Sequence, residues 1–251
     1  MFMEDFMIKK YVDGKLKSYS SLIDALELEN IKSPVISFIG AGGKTTTIKR
    51  LAKEYIEKGI PVVVTTTTHL FNEEEPWFLL EASKEKALDI LKKYKMVWIG
   101  SISKKGKMSM PDRNFLDEII SLGYPVLIEA DGARRLPCKA PGENEPVYID
   151  QVTCVVNVYG VDSIDKKIEE TCFRPERVSD ILKKDIKEVV SEKDIAILAT
   201  DKRAGRKDVS STTDYKVIIN KVDDDEKEKK AEKICDLAER LGLYDIIITG
   251  E

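Results

Sequence analysis

The stretch "VISFIGAGGKTTTIKRLAKEY", Val35 to Tyr55, constrains the fold more than any other part of the 251-residue chain. A short apolar run, 35–39, gives way to Gly40-Ala41-Gly42-Gly43-Lys44-Thr45-Thr46-Thr47 and then to a basic segment with helical character. Glycines supply positive φ and let the backbone approach a ligand closely. The start of a helix presents unpaired N–H groups and a partial positive charge. Strand, glycine turn and helix start together make an anion site suited to nucleotide phosphates. Gly40, Ala41, Gly42 and Gly43 are expected to form the cradle. Lys44 is expected to reach the β- and γ-phosphates, Thr45 to offer its hydroxyl to Mg²⁺, and Thr46 to lie near a more distal phosphate.

The loop departs from the G-x-x-x-x-G-K-[ST] pattern, because Phe38 stands where the first glycine belongs. It is shorter, and resembles the G-T-x-G-K-T-[TS] loop of Mur-type ligases and, more loosely, the loops of dethiobiotin-synthetase-like and metallochaperone P-loop proteins.

Strand-like runs alternate with helical segments along the rest of the chain. Strands are predicted at 61–67, 96–100, 125–132, 152–160, 194–200 ("DIAILAT"), 215–221 and 245–249. Helices are predicted around 84–93, over 112–123, and near 226–241 with Ala231, Ile234, Leu237, Ala238 and Leu241 as the apolar stripe. This alternation predicts an α/β fold with three layers, P-loop NTPase-like, around a mostly parallel central sheet. Residues 1–30 are expected to be a peripheral hairpin and short helix, and 31–251 the nucleotide-binding domain. Apolar residues make up 42% and charged residues 34%, enough for a core and too balanced for a disordered chain. The net charge of −4 argues against a role in binding nucleic acid through counterion release. No apolar run approaches the ~20 residues of a membrane helix. The N-terminus, broken by Glu4, Asp5, Lys9 and Lys10, does not read as a signal peptide. Cys138, Cys154, Cys172 and Cys235 stand far apart and read as reduced thiols of a cytoplasmic protein.

A P-loop needs acidic residues on a neighbouring strand. "PVLIEADGARR" supplies Glu129 and Asp131 at the end where open α/β sheets bind ligands, for Mg²⁺ and for positioning water. Arg134 occupies the glycine position of a D-x-x-G pattern, so that γ-phosphate sensor is absent. Arg134 and Arg135 are candidates for phosphates or an acidic substrate, or are surface residues of a loop. Thr66, Thr67 and His69, after the 61–67 strand, are candidates for Mg²⁺ or substrate, with β-propensity as the plainer account of the threonines. "INKVD" matches N-K-x-D, with Asn220, Lys221 and Asp223 as a guanine site after an apolar strand.

Taken together, "SFIGAGGKTTT", "VVVTTTTH", "LIEADGARRLPCKAPGENEPV", "FRPERV" and "INKVD" resemble the YqeC-type selenium-dependent hydroxylase accessory proteins. The resemblance runs from about Val35 to Asp223. It implies nucleotide-dependent help in making or loading the cofactor of a molybdenum hydroxylase, with that enzyme or its cofactor-maturation proteins as partner. Within the block, three prolines stiffen a long loop of the kind usually tied to function. Lys139 is a candidate for an anionic substrate, Arg174 for closing over the site, and Cys138 is either a soft-metal ligand or a small buried residue. Three readings remain open: a Mg-dependent NTPase using GTP or ATP, GTP favoured by "NKVD"; an ATP-dependent small-molecule ligase or transferase; and a nucleotide-gated binding module with little turnover.

Overall fold

The computed structural model describes residues 6–70, 75–103 and 106–250. A hairpin of β1 (Met7–Val12) and β2 (Lys15–Ser18) turns at Asp13-Gly14, and α1 (Leu22–Ala25) follows, capped by the Ser21 hydroxyl. The opening stretch forms β3 (Val35–Gly40) and α2 (Lys44–Glu57). After it come β4 (Val62–Thr66), β5 (His69–Leu70), β6 (Phe78–Leu79), α3 (Lys84–Tyr94), β7 (Met96–Ile99), β8 (Ser101–Ile102), β9 (Met108–Ser109) and α4 (Arg113–Ile120). Then β10 (Val126–Glu129), β11 (Cys138–Lys139), β12 (Cys154–Gly160), α5 (Ile168–Thr171), β13 (Cys172–Phe173) and α6 (Pro175–Leu182) lead to α7 (Glu192–Thr200), β14 (Asp214–Asn220), α8 (Asp225–Glu239) and β15 (Ile246–Gly250).

The main sheet has the order β2-β1-β15-β14-β12-β3-β10-β4-β7-β6. From β15 to β6 every neighbouring pair is parallel, while β1 runs antiparallel to β15 and to β2. Successive side chains alternate between faces, so a strand covered on both sides reads as a continuous apolar run. In β3, Val35 and Ile39 join the core under α3, α4, α7 and α8, and Ile36 and Phe38 join the core under α1 and α2. The chain therefore forms the expected three-layer α/β fold with a mostly parallel centre. Leu22, Ile23 and Leu26, after the hairpin, are fully buried in the second core.

Two expectations are corrected. Residues 194–200 are helical, within α7, rather than a strand. Ser191 and Asp194 form a capping box, with Asp194 N–H donating to the Ser191 hydroxyl and Ser191 N–H to the Asp194 carboxylate at 2.8 Å. Ile195, Leu198 and Ala199 then bury a helical face, and α7 packs on α8. A short apolar run has no periodicity that separates a strand from a buried helix. In α8 the helix stops at Glu239 and Leu241 is 52% exposed, so Cys235 rather than Leu241 completes the buried stripe.

The four cysteines are free and buried. Cys138 lies beside Cys172 across the parallel β11–β13 pair. Donation of the Cys138 S–H to Cys172 and full burial push the Cys138 thiol well above its usual range, the opposite of what a reactive thiolate needs. Among the described residues, no group of three His, Cys, Asp or Glu side chains is placed to hold a metal, and no helix is long and apolar enough to cross a membrane.

Candidate functional site: a glycine-loop cleft

The parallel sheet brings β3 between β10 and β12, so the loop after β3 meets the ends of both neighbours. Gly40 and Gly42 have φ of +89° and +83°. A Cβ at Gly40 would lie 2.3 Å from Asn157 Oδ1, and one at Gly42 2.2 Å from Gly160 N, so a side chain fits at neither. The backbone is fixed from three sides. Ala41 N–H donates to Val158 O (2.7 Å), Gly42 N–H to Leu136 O (3.1 Å), and Asn220 Nδ2 to Gly42 O (2.9 Å). Thr249 Oγ1 donates to Asn220 Oδ1 (2.8 Å), which sets the orientation of that amide. Gly43 is the N-cap of α2 and no side chain caps the helix, so its N-terminal dipole is available at the cleft.

Lys44 is buried. Its Nζ donates to Gly40 O (2.7 Å) and lies 3.0 Å from Asp131 Oδ1 and 4.0 Å from Glu129 Oε1. Asp131 Oδ2 accepts from Gly40 N–H (2.9 Å) and pairs with Lys139 Nζ at 2.9 Å. Lys139 is buried too, and reaches Gly132 O (2.7 Å) and Glu145 (3.2 Å). Burial pushes the Glu145 carboxyl up, but Arg174, 2.8 Å away, and Lys139 outweigh it and hold the group below the usual carboxylate range.

Thr45 Oγ1 donates to Glu129 Oε2 at 2.7 Å. Burial pushes the Glu129 carboxyl up, and the Lys44 charge and the Thr45 bond offset only part of that. Folded Glu129 thus holds its proton more tightly than unfolded Glu129. Stability is full below the ordinary carboxylate pKa and declines as pH rises toward the folded value. Glu129→Gln is therefore expected to raise the melting temperature at pH 7 by a few degrees. The gain should vanish near pH 4, as scanning calorimetry at both pH values would show.

The loop residues Gly42 to Thr46 line a cleft of about 830 Å³, together with Glu129, Arg134, Arg135, His69 and Lys221. Arg134 and Arg135 sit at its rim in left-handed conformations, φ +48° and +63°. The Arg134 guanidinium stands 5.2 Å from the centre of the Phe173 ring.

Other expected residues lie elsewhere. Gly40, Ala41 and Asp131 lie beneath the cleft. Thr66 Oγ1 donates to Glu129 O and Thr67 Oγ1 to Val147 O, both at 2.8 Å, so these hydroxyls fasten β4 to its surroundings. Lys139 is enclosed behind Asp131, and Arg174 lies 4.3 Å over Phe173 while paired with Glu145. Lys221 pairs with Asp162 (2.9 Å), and exposed Asp223 accepts from Lys227 (3.2 Å). Phe78, Trp98 and Lys107 also line the cleft and had no motif to mark them, and Phe173, the first residue of "FRPERV", lines it too. Trp98 sits in a run that reads only as a strand, and Phe78 in a stretch with no pattern.

A family model described as "YqeC protein" matches residues 36–176. The chain is also 31% identical over 153 residues to the "Uncharacterized protein YqeC" of Escherichia coli (strain K12), over 59% of this chain and 60% of that protein. The family match spans the glycine loop, Glu129, Asp131, Lys139, Glu145 and Arg174, and ends before Asn220. With more than half of its length matched, the chain belongs to the YqeC family.

Proposed function

We propose that this protein binds a magnesium–nucleoside triphosphate, GTP in preference to ATP, in the Gly40–Thr46 loop and acts as a nucleotide-dependent accessory factor. The observation that carries this reading is the convergence of an uncapped helix start, buried Lys44, and a Thr45 hydroxyl 2.7 Å from Glu129. Mg²⁺ takes hard oxygen ligands, using one or two carboxylates with substrate phosphates and water. The Thr45–Glu129 pair fits that chemistry. Asp131, already engaged by Lys44, Lys139 and the Gly40 N–H, fits better as the residue that positions Lys44. Catalysis at such a site, if turnover occurs, rests on positioning and charge neutralisation.

The preference for guanine rests on Asn220 at the end of β14 and Lys221 and Asp223 just after it, with Lys221 at the cleft. At ~100 times its Kd a ligand adds roughly 2.7 kcal/mol of stability, a melting shift of roughly 5–10 °C for a chain of this size. GTP is expected to produce that shift and ATP a smaller one. Asp223→Asn is expected to reduce the preference by about tenfold, near 1.4 kcal/mol; an undiminished preference in competitive titration removes the guanine assignment. The resemblance to hydroxylase accessory proteins makes a selenium-dependent molybdenum hydroxylase, or a protein that matures its cofactor, the proposed partner. Affinity capture from cells expressing such an enzyme, with and without Mg–GTP, tests it.

A further inference from the structure

The cleft extends past the glycine loop on both sides, toward Lys221 and toward Phe78 and Trp98. Neighbouring strands lie about 4.8 Å apart. From β3 the sheet reaches β14, with Lys221 at its end, in two steps, roughly 10 Å. In the opposite direction it reaches β10, β4 and then β7 in three steps, roughly 14 Å. A nucleotide whose base lies toward Lys221 directs its terminal phosphate the other way, past Thr45 and Glu129. Beyond them the same cleft continues along His69, Lys107, Phe78 and Trp98.

That far end has its own chemistry. Phe78 is half-buried and stacks on buried Trp98, with ring centres 5.3 Å apart and planes 14° from parallel, so Trp98 backs the Phe78 ring that faces the cleft. Lys49 of α2 stands 6.0 Å from the Trp98 ring centre. His69 and Lys107 are exposed there. Among the described residues, the acids lining the cleft are Glu129, bonded to Thr45, and Glu145, bonded to Arg174 and Lys139. An aromatic wall beside basic groups selects a flat ring carrying negative charge.

We infer that the β4–β7–β6 end of the cleft is a second binding site, for a planar aromatic anion placed against the terminal phosphate of the nucleotide. The aromatic wall stands without the nucleotide; the position relative to the phosphate rests on the nucleotide reading. The placement makes the second ligand, rather than bulk water alone, the neighbour of the reacting phosphate.

The test uses the full chain and 8-anilinonaphthalene-1-sulfonate as the probe, titrated by fluorescence and calorimetry with and without saturating Mg–GTPγS. One probe molecule per chain is expected, still bound when saturating nucleotide is present, with affinity lowered no more than about tenfold by the neighbouring phosphate charge. Phe78→Ala is expected to weaken probe binding by at least about tenfold. Lys107→Ala, at an exposed position, is expected to weaken it by about threefold while the melting temperature holds. Asp223→Asn should leave the probe's affinity untouched. Competition between GTPγS and the probe overturns the inference and makes the aromatic end a base site, leaving the nucleotide reading intact. Binding insensitive to both substitutions overturns it as well. A silent GTPγS titration with probe binding still dependent on Phe78 supports the aromatic site and sinks the nucleotide reading instead.

Discussion

Lys44→Ala is expected to weaken Mg–GTP binding by at least about 100-fold, roughly 2.7 kcal/mol, while circular dichroism shows the fold retained. The lysine is the one cation on the loop itself that is buried beside it, with its Nζ 2.7 Å from Gly40 O. A triphosphate offers it charge-assisted bonds in a partly enclosed site, which are about twice as strong as neutral ones. The fold survives because Asp131 keeps two other partners, Lys139 and the Gly40 N–H. Isothermal calorimetry would give the result directly, and an unchanged affinity would refute the phosphate cradle.

Lys139→Ala has the opposite character, a large loss of stability. The Lys139 and Asp131 side chains are each 2% exposed and pair at 2.9 Å. Lys139 serves two carboxylates, Asp131 and Glu145, so its removal takes a buried cation from both, and losing one partner of a buried pair typically costs about 3–5 kcal/mol. In a chain of this length that lowers the melting temperature by roughly 10 °C. Lys139→Arg, which keeps a cation between Asp131 and Glu145, should lie closer to the parent than Lys139→Ala does. Chemical denaturation of the three proteins would show this, and a Lys139→Ala variant as stable as the parent would mean that water reaches the pair.

The glycine loop was legible because its chemistry is local. Positive φ at Gly40 and Gly42 and the helix start at Lys44 are written in one short run of residues, although Asn157 and Gly160, far along the chain, are what crowd the two glycines. The central sheet was legible for a related reason: strands buried on both faces, such as β3 and β12, are written as unbroken apolar runs. Residues 194–200 have that same look and are a helix, since what separates the two is the Ser191–Asp194 cap upstream. The cleft was harder. Lys139 reads as a cation for a substrate, yet it turns inward because Asp131 and Glu145, eight residues before it and six after, converge on it through the loop's path. Phe78 and Trp98 come from separate strands joined through the β6–β7 pairing, so no stretch of sequence announces the surface they form.

The pairing of β1 with β15 has one more consequence. Without that hairpin β15 would end the sheet, and its Ile246-Ile247-Ile248 backbone would lie open to any other extended chain. As built, the outermost strand is β2, short and studded with exposed Lys15 and Lys17, a poor template for strand addition. A truncation that removed residues 7–18 would therefore turn a self-limiting molecule into one prone to edge-to-edge aggregation.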